Sequence, residues 1–176
     1  MTTGAAPPDR LRGRLLDPPL QIVLVEPEIP PNTGNVARLC AATGSVLHLV
    51  GKLGFRTDEH AVRRAGLDYW HLVRVHQHPD LRTAEAFTEL PGRAGRSWLL
   101  SGKAERSYLD VRYEPGDRLV FGKESVGLDP SLLAERRDHV IGIPMPGAVR
   151  SLNLANAVAI VLYEALRQNG APAPGR

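Results

Sequence analysis

The sequence has a single cysteine, Cys40, among its 176 residues. One cysteine cannot form an internal disulfide, and it excludes a zinc site built from several cysteines. No apolar run approaches the ~20 residues that a helix needs to cross a bilayer. The arginine-containing start also lacks the apolar segment of a secretory signal. The composition therefore predicts a cytoplasmic protein with no membrane segment.

Lysine is scarce as well, because three lysines stand among 22 cationic side chains. A net charge of +3 favours a polyanionic partner such as nucleic acid. A GC-rich genome gives the same arginine bias without any function, so charge alone leaves both interpretations open.

Several catalytic patterns are absent. There is no Gly-x-Ser-x-Gly elbow and no Gly-x-Gly-x-x-Gly fingerprint. His76 and His78 have no third ligand at a useful spacing, and we interpret both as surface residues. The sequence therefore predicts no metal site.

Residues 1–19 are rich in Ala, Pro, Gly and Arg without periodicity, which predicts a disordered N-terminal arm. Residues 171–176 are a similar flexible tail, so residues 20–170 form one domain. Strands alternate with helices there, which predicts an α/β fold with a mainly parallel sheet flanked by helices. The predicted strands are Gln21–Val25, Val46–Val50, Leu72–Val75, Ser97–Leu100, Arg118–Phe121 and His139–Ile143.

Helices are predicted between these strands from capping and spacing signals. Pro30 and Pro31 lead into a helix that Gly44 stops, and Asp129-Pro130 starts another. The last helix has apolar residues at helical spacing, which indicates a largely buried helix. The other predicted helices are Glu59–Ala65 and Leu81–Leu90, and the last one is Ser151–Asn169.

The first segment with unusual chemistry runs from Glu26 to Arg38, directly after the first strand. Ligands of open α/β sheets bind at this edge. Asn32 and Asn35 lie beside a helix start whose N–H groups suit a phosphate, and Arg38 follows Asn35 by one turn. A helix cap with a solvated arginine explains the segment equally well.

The second segment runs from Leu119 to Leu128 and contains glycines that allow a backbone loop to approach a ligand closely. It is not a Walker phosphate loop. Asp117 stands where that motif needs glycine, and Glu124 stands where it needs Ser or Thr.

The third segment, Ile143 to Asn156, passes from a strand through a Pro/Gly loop into the last helix. Ser151 and Asn153 are polar residues at the start of an otherwise apolar helix. Ser151 is interpreted either as a site residue or as a plain N-cap.

Taken together, in this order and separation, the three segments resemble the three motifs of the SPOUT RNA methyltransferases. The stretch Arg63-Arg-Ala-Gly-Leu-Asp-Tyr69 adds to the resemblance, which runs from Gln21 to Asn169. It is strongest to the small enzymes that 2'-O-methylate the wobble nucleotide of tRNA. The resemblance implies an α/β knot, in which the C-terminal segment passes through a loop to form a deep trefoil knot.

The resemblance also implies a cofactor, S-adenosyl-L-methionine, held by loops after three strands. It assigns the cofactor-binding role to Leu100, Gly122, Ile143, Met145, Ser151 and Leu152.

Arg38 matches the family position beside the target ribose. A guanidinium is a poor general base, so we expect it to clamp a phosphate and polarise the 2'-hydroxyl. Tyr163 matches a site position too, or is a core tyrosine. The residues expected to orient the reaction are Asn35, Glu124, Ser151 and Asn153.

The implied partners are a tRNA anticodon stem-loop, with leucine isoacceptors favoured, and a second copy of the chain. The basic stretch formed by Lys52, Arg56, Arg63 and Arg64 is expected to hold the stem, or is ordinary surface.

Two departures from the family pattern are expected to affect RNA preference. Lys123 stands where near relatives often have proline, and Pro146-Gly147 changes the third loop.

Two alternatives remain. One is a SPOUT enzyme that modifies another tRNA or rRNA nucleotide. The other is a non-catalytic RNA-binding protein on the same fold.

Overall fold

A computed structural model of the chain describes residues 13–54, 70–88 and 95–171. Its centre is a six-stranded sheet in which every strand pairing is parallel. This confirms the α/β class, and the sheet is wholly parallel where the sequence predicted a mainly parallel one. The strands are β1 Gln21–Val25, β2 Val46–Val50, β3 Val75–His78, β4 Ser97–Leu100, β5 Arg118–Phe121 and β6 Val140–Ile141.

Helices cover both faces of this sheet. Val36 and Cys40 from the first helix pack with Val158 and Leu162 from the last on one face. Ala84 packs on the opposite face. Two short 3-10 helices, Trp70–Leu72 and Arg137–His139, complete the described elements. The α-helices are α1 Pro30–Thr43, α2 Leu81–Phe87, α3 Pro130–Glu135 and α4 Leu154–Gln168.

Local signals set several helix ends as predicted. Gly44 ends α1 with a φ of 71°, a left-handed conformation that glycine adopts without a Cβ penalty. Asp129 caps α3 by accepting a hydrogen bond from the Ser131 N–H, and Pro130 takes the first helical position.

The strand order β3-β2-β1-β5-β4-β6 brings the three site segments to one place. All strands run parallel, so their carboxyl ends share one edge of the sheet. β1, β5, β4 and β6 are consecutive neighbours in that order. The loops that follow these four strands therefore leave the same part of the edge.

β6 lies between β4 and the connection that follows β4. Leu100 pairs with Ile141 on one side. On the other side, Gly142 donates to the Arg106 carbonyl and accepts from the Tyr108 N–H, both at 2.9 Å. β6 therefore lies between β4 and the chain that connects β4 to β5, as a segment that passes through that loop must. The trefoil knot itself stays a prediction.

Two strand predictions were wrong in their bounds. Leu72 ends a 3-10 helix, and β3 begins at Val75. The predicted strand from His139 to Ile143 shrinks to two residues, because Gly142 turns its hydrogen bonds towards the β4–β5 connection. The predicted helix at residues 59–65 lies outside the described residues.

The interpretation of His78 as a surface residue was wrong. His78 is 7% exposed, and its Nε2 lies 3.0 Å from Nδ1 of the fully buried His48. Nε2 of His48 lies 2.8 Å from the Gln21 side-chain oxygen. His76 stacks on His48 and is only partly exposed.

Residues 13–19, which the sequence placed in the arm, contact the domain. The Arg14 N–H donates to the Ala171 carbonyl at 2.9 Å, and its guanidinium donates to the Asn169 carbonyl at 2.8 Å. Leu16 packs against the α1/α4 side of the core. Residues 1–12 and 172–176 lie outside the described residues.

Within residues 13–54, 70–88 and 95–171, no helix is long and apolar enough to cross a membrane.

Candidate active site

The ends of β5, β4 and β6 form one row, because Leu100 pairs with both Phe121 and Ile141. The loop after β4 then bonds to β6, since the Ser101 N–H donates to the Ile141 carbonyl at 3.0 Å. The same loop reaches the segment that leads into α4, because a Cβ placed on Gly102 would lie 3.9 Å from the Arg150 carbonyl oxygen. The structure thus brings the three predicted cofactor loops together.

Four of the predicted cofactor residues are apolar side chains in or beside these loops. Leu100 is 9% exposed, Ile143 and Met145 are half-buried, and Leu152 is 37% exposed. A Cβ on Gly102 would meet only one heavy atom within 4 Å, so the loop leaves open space here. Apolar side chains beside accessible backbone fit a ligand with a flat heterocycle and a polar tail, such as S-adenosyl-L-methionine.

Glu124 joins the loop after β5 to the start of α1. Its Oε2 accepts the Glu28 N–H at 2.9 Å, and its Oε1 accepts the Ile29 N–H at 3.3 Å and the Asn32 Nδ2 amide at 2.9 Å. A carboxylate that receives three donors is fixed in place.

Asn153 extends this network to the third segment. Its Nδ2 donates to Asn32 Oδ1 at 2.9 Å, and its Oδ1 accepts the Ala155 N–H at 2.9 Å. Asn153, and not Ser151, is therefore the N-cap of α4. The predicted start of the last helix at Ser151 was three residues early, and Ser151 is exposed ahead of it.

The predicted phosphate site at the start of α1 was wrong. Pro30 and Pro31 occupy the first helical positions and have no N–H to offer. The next two N–H groups, of Asn32 and Thr33, donate to the Ile29 carbonyl. The N–H groups of Glu28 and Ile29, just ahead of the helix, already donate to Glu124.

Asn35 and Arg38 are exposed on α1, one turn apart, as the sequence predicted. Asn32 precedes Asn35 by three residues and is 6% exposed. The same helix therefore has one buried amide in the Glu124 network and two exposed polar groups.

Gly122 is required by its own loop. A Cβ at this position would lie 2.1 Å from the Gly127 carbonyl carbon and 2.2 Å from the Leu128 nitrogen. Gly127 in turn has a φ of 78°. A larger residue at 122 would therefore clash first with the protein backbone, before it could meet any ligand.

Lys123 forms an ion pair with Glu26, with 2.7 Å between Nζ and Oε2. The hydrogen bond and charge of Glu26 raise the pKa of Lys123. This residue, which departs from the family pattern, links the loop after β5 to the end of β1.

Sequence reasoning missed Asn32 as a site residue, although it noted its amide. The sequence signal that could have identified it is its place in the first turn of α1, the helix that also carries Asn35 and Arg38. Tyr163 is 51% exposed, so its interpretation as a core tyrosine was wrong. Among residues 13–54, 70–88 and 95–171, no group of three or more His, Cys, Asp or Glu could hold a metal ion.

With this geometry established, comparison with known proteins identifies the family. The family model of the SpoU rRNA Methylase family matches residues 19–163. The chain belongs to this family.

Two relatives are named tRNA (cytidine(34)-2'-O)-methyltransferase. The one from Escherichia coli strain K12 is 48% identical over 154 residues, which cover 87% of this chain and 96% of the relative. The one from Polaromonas sp. is 47% identical over 154 residues, with 85% and 90% covered.

Solved structures agree with the fold. One structure, described as giving insights into the 2-OH methylation of C/U34 on tRNA, has a TM-score of 0.76 and 45% identity. It covers 85% of this chain and 95% of the other. An AdoMet-bound rRNA methyltransferase from Sinorhizobium meliloti has a TM-score of 0.69 and 26% identity, and covers 89% and 57%.

Proposed function

We propose that this protein transfers a methyl group from S-adenosyl-L-methionine to the ribose 2'-oxygen of the wobble nucleotide in tRNA. The observation that carries the proposal is the Glu124–Asn32–Asn153 network, which joins all three motif segments at the start of the helix that also carries the exposed Arg38. The near relatives named for this reaction cover almost the whole domain, which favours it over other nucleotides.

When bound, the cofactor supplies an electrophilic methyl on a sulfonium, so the protein has only to orient the groups and handle one proton. The backbone and apolar side chains of the three loops hold the cofactor. The residues concerned are Leu100, Gly122, Ile143, Met145, Ser151 and Leu152.

Arg38 binds a phosphate of the target nucleotide and polarises its 2'-hydroxyl. A guanidinium suits this role because it stays protonated and presents several donors in a fixed plane. Asn35 lies one turn before Arg38 on α1. Ser151 is exposed two residues before Asn153, which belongs to the Glu124 network. These two groups orient the ribose.

The RNA partner is an anticodon stem-loop, in which the wobble base is exposed and unpaired. Lys52 is exposed in the loop after β2 and contributes to phosphate binding. We further propose leucine isoacceptors as substrates, on the family resemblance alone.

The active form is a homodimer. Ile160 and Tyr163, on one face of α4, are 37% and 51% exposed, and Ile29, just before α1, is 44% exposed. Large apolar side chains in this number beside an active site favour a protein partner. Sedimentation at micromolar concentration should give a dimer. A fully active monomer at that concentration contradicts this part of the proposal.

Incubation with labelled cofactor and bulk tRNA, followed by mapping of the labelled nucleotide, tests the reaction. Label on the wobble ribose supports the proposal, and label on another nucleotide identifies a different target. A cofactor titration separates both from a non-catalytic RNA-binding protein, which needs no methyl-donor pocket.

A further inference from the structure

One of the three donors that hold Glu124 is the backbone N–H of Glu28, a residue whose own carboxylate has no motif role. The Glu28 N–H donates to Glu124 Oε2 at 2.9 Å. The Glu28 side chain in turn accepts the Ser125 N–H at Oε2 and the Ser125 hydroxyl at Oε1, both at 3.0 Å. The two loops therefore hold each other reciprocally through adjacent residues of both chain segments.

Glu28 itself is held from the other side. The Gly54 N–H donates to the Pro27 carbonyl at 3.0 Å. A Cβ on Gly54 would lie 2.9 Å from both the Cα and the carbonyl oxygen of Glu28. The loop after β2 thus packs directly on the Glu28 backbone, so this residue has a fixed support from which to hold its neighbour.

We infer that Glu28 is a positioning residue, which sets the place of Glu124 and through it the Asn32–Asn153 network. The inference rests on the proposed function, because it assigns Glu124 to the methyl-transfer site. A carboxylate is needed here because two donors of Ser125 point at it. A glutamine would accept one of them and turn an N–H towards the other.

Glu26 offers a matched control. It lies two residues earlier in the same loop, and its carboxylate pairs with Lys123 instead of the Ser125 donors. Glu26→Gln and Glu28→Gln each remove one negative charge from this loop. Glu28→Gln alters the acceptor of the Ser125 N–H and hydroxyl, whereas Glu26→Gln alters only a side-chain ion pair, with Lys123, and no backbone N–H of the segment 122–128.

In the full-length protein, Glu28→Gln should lower kcat about 10- to 100-fold, as expected when reacting groups are slightly misplaced. The Kd for cofactor and the KM for tRNA should change by less than about threefold, because Glu28 belongs to neither binding site. Ser125→Ala should show a smaller loss of kcat, and Ser125→Thr, which keeps both donors, should restore it. Glu26→Gln should stay near wild type.

Amide hydrogen exchange of the segment 122–128 gives a readout that does not need activity. It should speed up in Glu28→Gln and stay unchanged in Glu26→Gln. Equal exchange and equal kcat in the two variants would overturn the inference. If wild-type protein methylates no tRNA, the proposed function fails, and the exchange measurement still decides whether Glu28 holds this loop.

Discussion

Gly122 and Asn32 illustrate how a residue type is predictable while its reason is not. The sequence marked Gly122 for close approach to a ligand, but the close neighbour is the Gly127–Leu128 backbone. Asn32 was noted as an amide beside a helix start suited to phosphate, but its side chain binds Glu124 and Asn153. The Asn32 contacts join residues more than 90 positions apart, which leave no trace in local spacing, and the Gly122 contact depends on the folded shape of its loop. The polar types at the site were therefore predictable, and their partners were not.

Arg38→Ala should lower turnover by at least ~100-fold and leave cofactor affinity nearly unchanged, because the lost contact acts on the substrate in the transition state. Single-turnover rates and a cofactor titration measure the two quantities. Arg167→Ala is a matched control, since Arg167 is another exposed helical arginine, paired only with Glu164 among the ion pairs of the described residues. Equal loss of cofactor affinity and turnover in Arg38→Ala would contradict the assigned role.

Gly122→Ala should lower the free energy of unfolding by about 1–3 kcal/mol, because the new methyl group overlaps the backbone of its own loop. Gly147→Ala is the control, since a Cβ there meets nothing within 4 Å and should change stability by less than about 0.5 kcal/mol. Urea unfolding of both variants measures the difference. Equal stabilities would show that the loop adapts freely.

At the scale of elements, α4 shows where capping signals can be misread. Two polar residues precede its apolar stripe, and both suit an N-cap by type. The cap is Asn153, because only its side chain reaches the Ala155 N–H. β3 shows the opposite error, since it ends on a buried histidine, His78, that apolar periodicity does not count.

Asn153→Ala should lower the free energy of unfolding by about 1 kcal/mol through loss of the cap, and should also reduce turnover. Ser151→Ala should reduce turnover with stability unchanged, because Ser151 is exposed and caps nothing. Denaturant unfolding and methyl-transfer rates for the two variants separate the roles. A stability loss confined to Ser151→Ala would reverse the assignment.

The contact between β2 and β3 should make stability depend on pH. Burial, followed by the charges of His78, His76 and Arg118, lowers the pKa of His48 to about 3. The unfolded chain binds this proton from about pH 6.5 downwards and the folded protein does not, so stability falls as the pH drops below that value.

Between pH 7 and pH 5, His48 should therefore contribute a loss of about 2 kcal/mol in the free energy of unfolding. The pKa of His78 is also lowered, by burial and by His76 against the opposing charge of Asp80, and it acts in the same direction. Urea unfolding at pH 7, 6 and 5 should give a shallower pH dependence for His48→Gln than for wild type. The same slope in both proteins would contradict this account.

On the scale of the whole molecule, the alternation of strands and helices predicts a parallel α/β sheet, but not its strand order. β5 lies between β1 and β4, and β6 lies beyond β4. This order places the loops after β1, β5, β4 and β6 together, whereas more than 90 residues of sequence separate the end of β1 from the ends of β5 and β6. The family resemblance supplied the grouping that periodicity could not.

The central claim is methylation of the wobble ribose in tRNA, and nucleoside mass spectrometry of tRNA from a deletion strain tests it most directly. The account predicts loss of 2'-O-methylcytidine and of a 2'-O-methylated modified uridine at the wobble position, with recovery on expression of the wild-type chain and not of the Arg38→Ala variant. Wobble nucleotides that remain methylated, with methylation lost elsewhere, would contradict it.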